Sequence, residues 1–203
     1  MNAKTKKIFS TGLFKDNPVL RQILGICSSL AVTNLMMNSL IMGLALTFTT
    51  ALSSFVISAI RKSIPKHIRM MVQTLIIATI VIIIDVAVRA YYPAMSKELG
   101  PYVGLIITNC IIMGRAEAFA QNNKPLPSLL DGIAMGLGYT MILLTISFVR
   151  EILGFGSIFG IQIFGDWWTN WTLMVMPPAG FFMLGILIWI TKSRMPEEEG
   201  GKK

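Results

Sequence analysis

The chain has 203 residues, of which 54% are hydrophobic and only 14% are charged, and its mean hydropathy is +0.66. This composition excludes a soluble domain, because no polar stretch is long enough to build one. The net charge of +8 does not indicate nucleic-acid binding, since the cytoplasmic loops of membrane proteins collect Lys and Arg. Two cysteines are too few for a disulfide framework. We therefore predict an all-α integral membrane protein with a single polytopic domain over residues 1–203.

The first half begins with a basic tail, 1–18, and continues with a charge-free run from Gln22 to Ile60. No signal-peptide cleavage site of the A-x-A type follows a short apolar core, so we expect the tail to be retained. As one helix this run would be far longer than the ~30 Å hydrocarbon core, so the chain must turn inside it. The turn is predicted at Thr33–Asn38, where two Asn residues interrupt the apolar pattern. This leaves a short first segment, about 19–33, and a full span, about 39–60.

Four more segments follow in the second part of the chain. The predictions are a third span over about 68–89, a short fourth segment over about 99–114, a fifth span over about 128–149 and a sixth over about 172–191, before a charged tail, 192–203. The fourth segment is charge-free for only ~16 residues, or about 24 Å as a helix. The order is therefore short, long, long, twice over. Each short segment carries one cysteine, Cys27 or Cys110.

This order predicts two inverted repeat halves, about 19–90 and 99–191. Three crossings per half is an odd number, so the second half enters the membrane from the opposite side. In proteins of this kind, short interrupted segments at matching positions mark the functional centre.

Basic residues predict the orientation. With the N-terminus inside, the inner segments hold fifteen Lys and Arg residues, whereas the outer segments hold three, Arg89, Lys97 and Arg150. This is a strong positive-inside bias. The tryptophans at 167, 168 and 171 then fall at the outer interface, as expected for an aromatic belt. We therefore expect both termini, tails 1–18 and 192–203, in the cytoplasm.

One motif is more specific than these patterns. The stretch VGLIITNCIIMGRAEAFA at 103–120, together with PSLLDG at 127–132, LGIC at 24–27 and LAVT at 30–33, resembles the D-subunit family of the Na⁺-translocating NADH:quinone reductase (Nqr). That family is shared with the E subunits of the Rnf electron-transport complex, and the resemblance covers most of the chain.

The resemblance implies a multi-pass subunit of the bacterial cell inner membrane, in a redox-driven sodium pump that passes electrons from NADH to ubiquinone. The implied partners are the other Nqr subunits, especially the homologous E subunit of opposite topology, besides sodium ions and membrane lipid. The alternative is an Rnf-type ferredoxin/NAD electron-transport subunit with the same fold and site. The short tail after Met195 favours the quinone reductase.

The two cysteines are the first candidate site. A free Cys in a membrane helix commonly serves as a small apolar residue, but here the two short segments that hold Cys27 and Cys110 match across the repeat. Two thiolates near the membrane midplane would need a metal to neutralise them. Iron–sulfur clusters typically take four protein ligands, and the only histidine, His67, lies in a basic loop, so a partner subunit would have to complete the set. The resemblance implies the same site, a [2Fe-2S] cluster shared with a sister subunit, with both cysteines at the family's ligand positions.

Asp85 and Asp131 are candidates for an ion pathway. Asp85 follows an apolar run, and a carboxylate is costly on a lipid-facing helix, so it should face the bundle. The alternative is an outer-interface residue paired with Arg89 at i,i+4. Asp131 lies near the predicted start of the fifth span, where an acidic residue is favourable in any case. The resemblance implies a link of both residues to sodium movement.

Arg115 and Glu117 are two charged residues in the same motif. They are two residues apart, so they should not share a helix face. Two interpretations remain open, an anchor at the inner interface and a contact with a partner subunit.

No Gly-rich phosphate loop, dinucleotide fingerprint or flavin motif occurs in the sequence. We therefore expect no nucleotide or flavin on this chain and no catalysis by it alone. Two other classes of function remain compatible with the sequence, a metal-free inverted-repeat transporter or channel and a structural scaffold subunit. Iron bound through Cys27 and Cys110 would distinguish these classes from an electron carrier.

Overall fold

The fold is given by a computed structural model, which describes residues 19–20, 22–91, 100, 103–158, 161–162 and 176–194. These ranges contain α1 (Ile26–Val32), α2 (Met36–Ile60), α3 (Arg69–Tyr91), α4 (Cys110–Arg115), α5 (Pro125–Phe155) and α6 (Pro177–Arg194). A 3₁₀ turn, Lys66–Ile68, precedes α3, and a π-helical turn, Ala116–Ala120, continues α4. Two strands of two residues each, β1 (Ser157–Ile158) and β2 (Ile161–Gln162), pair antiparallel after α5.

Several of these helices suit a bilayer. The segments long and apolar enough to cross a membrane are Met36–Ile60, Arg69–Ala87, Val103–Ala120 and Pro125–Phe155. Within α6, Pro178–Ser193 is a shorter apolar helix. The seven residues of α1 are well short of the ~20 needed for a full span. The prediction of an all-α membrane protein is confirmed, apart from the short strand pair.

The chain turns inside its long apolar run near the predicted place. Thr33 caps the C-terminus of α1, and the extended residue Leu35 precedes α2. The Ser39 hydroxyl, one turn into α2, donates to the carbonyls of Val32 and Leu35, both at 3.1 Å. The bond to Val32 satisfies a carbonyl that the end of α1 leaves open. The prediction of a short first segment and a turn is therefore confirmed.

The predicted bounds of the fifth span, 128–149, are wrong, because α5 is longer at both ends. It begins at Pro125, since a proline at the first helical position has the right φ and needs no backbone donor. It ends at Gly156, which has the left-handed φ of 64° typical of a helix C-terminus. Arg150 therefore lies inside a helix and not in an outer loop. The predicted tryptophan belt at 167–171 and the tail 1–18 lie outside the described residues.

The longest contact in the fold joins α2 to α5, which run antiparallel. A Cβ atom at Gly43 would lie 2.5 Å from the Thr140 methyl group, and a Cβ atom at Gly136 would lie 2.5 Å from Thr47 Cα. One turn further along, a Cβ atom at Gly132 would lie 2.8 Å from Ala51 Cα. Small residues at intervals of four on both helices therefore let the two backbones come together, as is common between membrane helices.

The other helices surround this central pair. Buried apolar side chains of all six helices belong to one cluster, which includes Val32, Met42, Leu46, Ile57, Ile77, Val81, Ile111, Ile112, Tyr139, Leu143 and Leu184. The short helices α1 and α4 contribute Val32 and the pair Ile111 and Ile112 to this cluster. That placement brings the two cysteine-bearing segments beside the middle of α5.

Candidate functional site

An irregular stretch of backbone, residues 23–25, lies just before Cys27. Ile23 and Gly25 have positive φ angles of 55° and 78°, a region that L residues other than glycine rarely adopt. Gly25 is also crowded, because a Cβ atom there would lie 2.6 Å from Ile111 Cδ1. Glycine alone fits such a position without strain. Cys27 is the second residue of α1 and is exposed.

A helix break lies just before Cys110. Residues 103–107 are helical, and the helix is interrupted at Thr108 and Asn109. Asn109 has an extended backbone, and its side-chain oxygen accepts a hydrogen bond from Ile111 N at 2.9 Å. This is a favourable N-cap, which starts α4 at Cys110. Cys110 is exposed, like Cys27.

The segments around Cys27 and Cys110 contact each other. Asn109 Nδ2 donates to Ser28 Oγ at 3.0 Å, and the hydroxyls of Ser28 and Tyr139 are 2.6 Å apart. Ser28 directly follows Cys27, and Asn109 directly precedes Cys110. The structure therefore brings together the two segments that the sequence singled out, although 83 positions separate the cysteines.

This arrangement fits part of a metal site. Both thiols are free and exposed, and each lies at the start of a short helix. Throughout the described ranges, no group of three or more His, Cys, Asp or Glu side chains could hold a metal ion. Two thiolates are half of the usual ligand set of an iron–sulfur cluster. Their exposure leaves room for a second chain to bring the rest.

Asp85 lies in α3 and pairs with Arg89, with 2.9 Å between Oδ2 and Nη2. The Asp85 side chain is 13% exposed, whereas that of Arg89 is 61% exposed. The predicted i,i+4 pair is therefore present, and the carboxylate is the more buried partner. The ion pair fits the interpretation as a paired interface residue, and the low exposure fits a carboxylate that faces the bundle, so this geometry is compatible with both interpretations of Asp85.

The explanation of Asp131 as a helix-start residue is wrong. Because α5 begins at Pro125, Asp131 lies in its second turn, and the first turn has no acidic residue. Asp131 instead accepts two hydrogen bonds from Arg115, from Nε at 3.0 Å and from Nη2 at 2.5 Å. Both side chains are largely buried, at 5% and 12% exposure. This bidentate pair fastens α4 to α5.

Arg115 and Glu117 face different helices, as their spacing predicted. Glu117 forms an ion pair with Arg69 and accepts a hydrogen bond from Gln73 Nε2 at 3.1 Å. Glu117 therefore connects the π-helical turn to α3, whereas Arg115 connects α4 to α5. Each charge is paired within the chain. The structure therefore favours neither of the two interpretations that the sequence left open, an interface anchor or a contact with a partner subunit.

Sequence reasoning missed a buried polar cluster at the end of α5. Arg150 Nη1 donates to Thr33 Oγ1 at 2.6 Å, and Glu151 Oε2 accepts from Met36 N at 2.8 Å. Arg150 and Glu151 are only 2% and 1% exposed. They hold both sides of the turn between α1 and α2. The signal was a charged pair directly after the apolar run TISFV, which helical periodicity could have assigned to the helix.

Comparisons with known proteins show the family of the chain. A family model described as Rnf-Nqr subunit, membrane protein, matches residues 5–188. The D subunit of the Na(+)-translocating NADH-quinone reductase of Pseudoalteromonas translucida is 46% identical over 202 residues, which cover 97% of this chain and 96% of the relative. The D subunits of the same enzyme in Shewanella sp. (strain W3-18-1) and Shewanella oneidensis are 48% and 47% identical over the same coverage. The chain belongs to the Rnf-Nqr family of membrane subunits.

Proposed function

We propose that this chain is the D-type membrane subunit of a Na⁺-translocating NADH:quinone reductase, and that it carries electrons through an iron–sulfur centre shared with a sister subunit. The observation that carries the proposal is the pair of exposed cysteines, each at the start of a short helix. The residues beside them, Ser28 and Asn109, are hydrogen-bonded to each other. The names of the relatives support the quinone reductase over the Rnf complex, which would use the same site.

Cys27 and Cys110 would supply two thiolates to a [2Fe-2S] cluster, and the homologous E subunit of opposite topology would supply the other two. When bound, such a cluster accepts and donates single electrons. The task of this chain is to hold both thiolates at the surface that the partner covers. The buried side chains beneath them exclude water from the inner side of the site.

The same subunit would consist of two inverted halves of three segments each. The antiparallel direction of α2 and α5 supports this arrangement, and so do their reciprocal contacts. Gly43 meets Thr140, and Gly136 meets Thr47. These residues belong to similar hexapeptides, MGLALT at 42–47 and MGLGYT at 135–140. A two-fold axis in the membrane plane would exchange the two helices.

The subunit would lie in the bacterial inner membrane with both termini in the cytoplasm. The positive-inside bias supports this orientation. The packing agrees with placing the two predicted inner loops on the same side, because Arg61 of the first donates to the carbonyl of Asn123 in the second at 2.6 Å. Two loops assigned to one side of the membrane therefore meet at one end of the α2–α5 pair.

Asp85 and Asp131 would contribute carboxylates to the path of sodium. Asp85 is the more accessible of the two for this purpose, because its partner Arg89 is largely exposed. Asp131 is held by two hydrogen bonds from Arg115. A sodium ion could bind its carboxylate only when that pair opens.

The test is iron per purified complex for wild type, Cys27→Ser and Cys110→Ser. A serine hydroxyl is a poor substitute for a soft thiolate, so each variant should lose the iron of this site and its reduced-minus-oxidised spectrum. Ser147→Ala serves as the control, since it removes a small buried polar atom from a different helix, α5. Unchanged iron and unchanged quinone reduction in both cysteine variants would refute the proposal and favour a metal-free transporter or a scaffold.

A further inference from the structure

The hydroxyl of Tyr139 is linked through Ser28 to the segments that hold Cys27 and Cys110. Ser28 Oγ donates to the Gly25 carbonyl at 3.0 Å, so its single proton is used. It therefore accepts from the Tyr139 hydroxyl at 2.6 Å, and it also accepts from Asn109 Nδ2 at 3.0 Å. A serine hydroxyl has one proton and two acceptor sites, and all three are occupied here. We call Tyr139, Ser28 and Asn109 the tyrosine network.

Two members of the tyrosine network are the sequence neighbours of the two cysteines, Ser28 of Cys27 and Asn109 of Cys110. Tyr139, Ser28 and Asn109 are 0%, 3% and 4% exposed, whereas their neighbours Cys27 and Cys110 are exposed. A buried polar network whose members are all paired has few alternative arrangements, since breaking one bond leaves an unpaired polar atom in the interior.

Both cysteine-bearing helices depend on contacts with the rest of the fold. They have seven and six residues, and helices this short are not stable by themselves. Tyr139, by contrast, belongs to the 31-residue α5 and is next to Thr140, in the close contact with α2. Its hydroxyl ties the start of α1 to this rigid helix, and Asn109 ties the start of α4 to the same serine.

We propose that Tyr139, Ser28 and Asn109 are positioning residues that set the distance between the Cys27 and Cys110 thiols. The proposal rests on the proposed function insofar as the thiols bind iron. The spacing of the ligands must match the metal before it binds, and partners that orient metal ligands affect affinity strongly. The tyrosine network would do this work within one chain, before any partner subunit arrives.

Three substitutions break the tyrosine network at different points. Tyr139→Phe keeps the buried ring and removes the hydroxyl. Ser28→Ala removes the shared acceptor. Asn109→Ser keeps a good N-cap for α4, but its shorter side chain does not reach Ser28. Ser147→Ala is the matched control, because Ser147 is buried in α5 and its hydroxyl has no hydrogen-bond partner in the part of the chain that the structure describes.

The first measurement is iron retention. Purified complexes with the full chain are titrated with an iron chelator under reducing conditions, and the remaining iron is followed by the spectrum of the centre. We expect the three network variants to release half of this iron at a chelator concentration lower by about tenfold or more, as is usual for partners that orient metal ligands. Ser147→Ala should follow the wild-type curve.

The second measurement reports thiol spacing without iron. In iron-depleted complexes, a short bismaleimide joins Cys27 to Cys110 within one chain, and the initial rate is read by peptide mass spectrometry. A change of spacing alters this rate in all three network variants and leaves Ser147→Ala unchanged. A role of Asn109 limited to capping α4 would leave Asn109→Ser at the wild-type rate.

The proposal requires both changes. Wild-type iron retention or wild-type crosslinking in the three network variants would overturn it. A wild-type complex without iron at the cysteines would contradict the proposed function, and the crosslinking rates would then still decide whether the tyrosine network sets the spacing. If one variant does not assemble, the other two variants test the proposal, because each removes a different member of the tyrosine network.

Discussion

Thr47 and Thr140 face each other across the contact between α2 and α5, with 3.4 Å between their hydroxyl oxygens. Each hydroxyl also donates to a glycine carbonyl four residues earlier in its own helix, Thr47 to Gly43 at 2.7 Å and Thr140 to Gly136 at 2.8 Å. Each glycine in turn leaves room for the threonine of the other helix. The contact is therefore the same when viewed from either helix, which agrees with the proposal of two inverted halves.

This contact predicts a strong effect of added volume at Gly136. In Gly136→Ala the new methyl group would lie 2.5 Å from Thr47 Cα, which is backbone and cannot turn away. Overpacking of this kind typically costs about 1–3 kcal/mol. We expect a lower thermal midpoint and a lower yield of assembled complex. Gly185→Ala in α6 is the control, since no atom of the described residues, apart from its chain neighbours and its own helix backbone, lies within 4 Å of its new methyl group. Equal stability of the two variants would contradict the close contact.

The ion pair between Asp131 and Arg115 predicts a large and reciprocal cost. Removing one partner of a buried pair leaves the other charge uncompensated, which typically costs about 3–5 kcal/mol. Asp131→Ala and Arg115→Ala should each reduce thermal stability and assembly, and the double variant should be less damaged than the sum of the two. Strictly additive losses would mean that the two side chains do not depend on each other.

Asp85 predicts an effect on sodium more than on stability. Asp85→Ala should weaken the sodium dependence of turnover while assembly and iron content stay largely intact. Arg89→Ala is the matched variant, because it removes the partner of the ion pair and keeps the carboxylate. Turnover is measured against sodium concentration for both. A normal sodium response in Asp85→Ala would mean that Asp85 has no role in sodium movement and serves only as the partner of Arg89 at the interface.

The orientation predicts the sidedness of two exposed positions at opposite ends of the fold. Ser63 lies in the turn after α2, and Met176 precedes α6, and both are exposed. In intact cells an impermeant thiol reagent should label Met176→Cys and should not label Ser63→Cys. Each site is read by peptide mass spectrometry, so the natural cysteines do not interfere. The reverse pattern would invert the topology and, with it, the assignment of the cytoplasmic side.

The sequence by itself determined the class of protein and the approximate segments. A charge-free run longer than the bilayer has to turn, and the Asn residues after Thr33 marked where it does. The same logic predicted two short segments with one cysteine each, because segment length and composition are local properties of the chain. The first is short in the structure, whereas Val103–Ala120 is long enough to cross a membrane. The motif around Cys110 was long enough to indicate the family without any structure.

Only the tertiary structure decided which side chains meet. The link from Tyr139 through Ser28 to Asn109 joins three segments that are far apart in sequence, and no local pattern encodes it. Arg150 was assigned to an outer loop because a charge usually ends an apolar span, but packing against Thr33 satisfies its hydrogen bonds inside a helix. Asp131 looked like a helix-start residue until α5 proved to begin at Pro125 and Arg115 proved to be its partner. A buried polar group is stabilised by the neighbours that folding brings to it, so its role follows from the packing and not from its position along the chain.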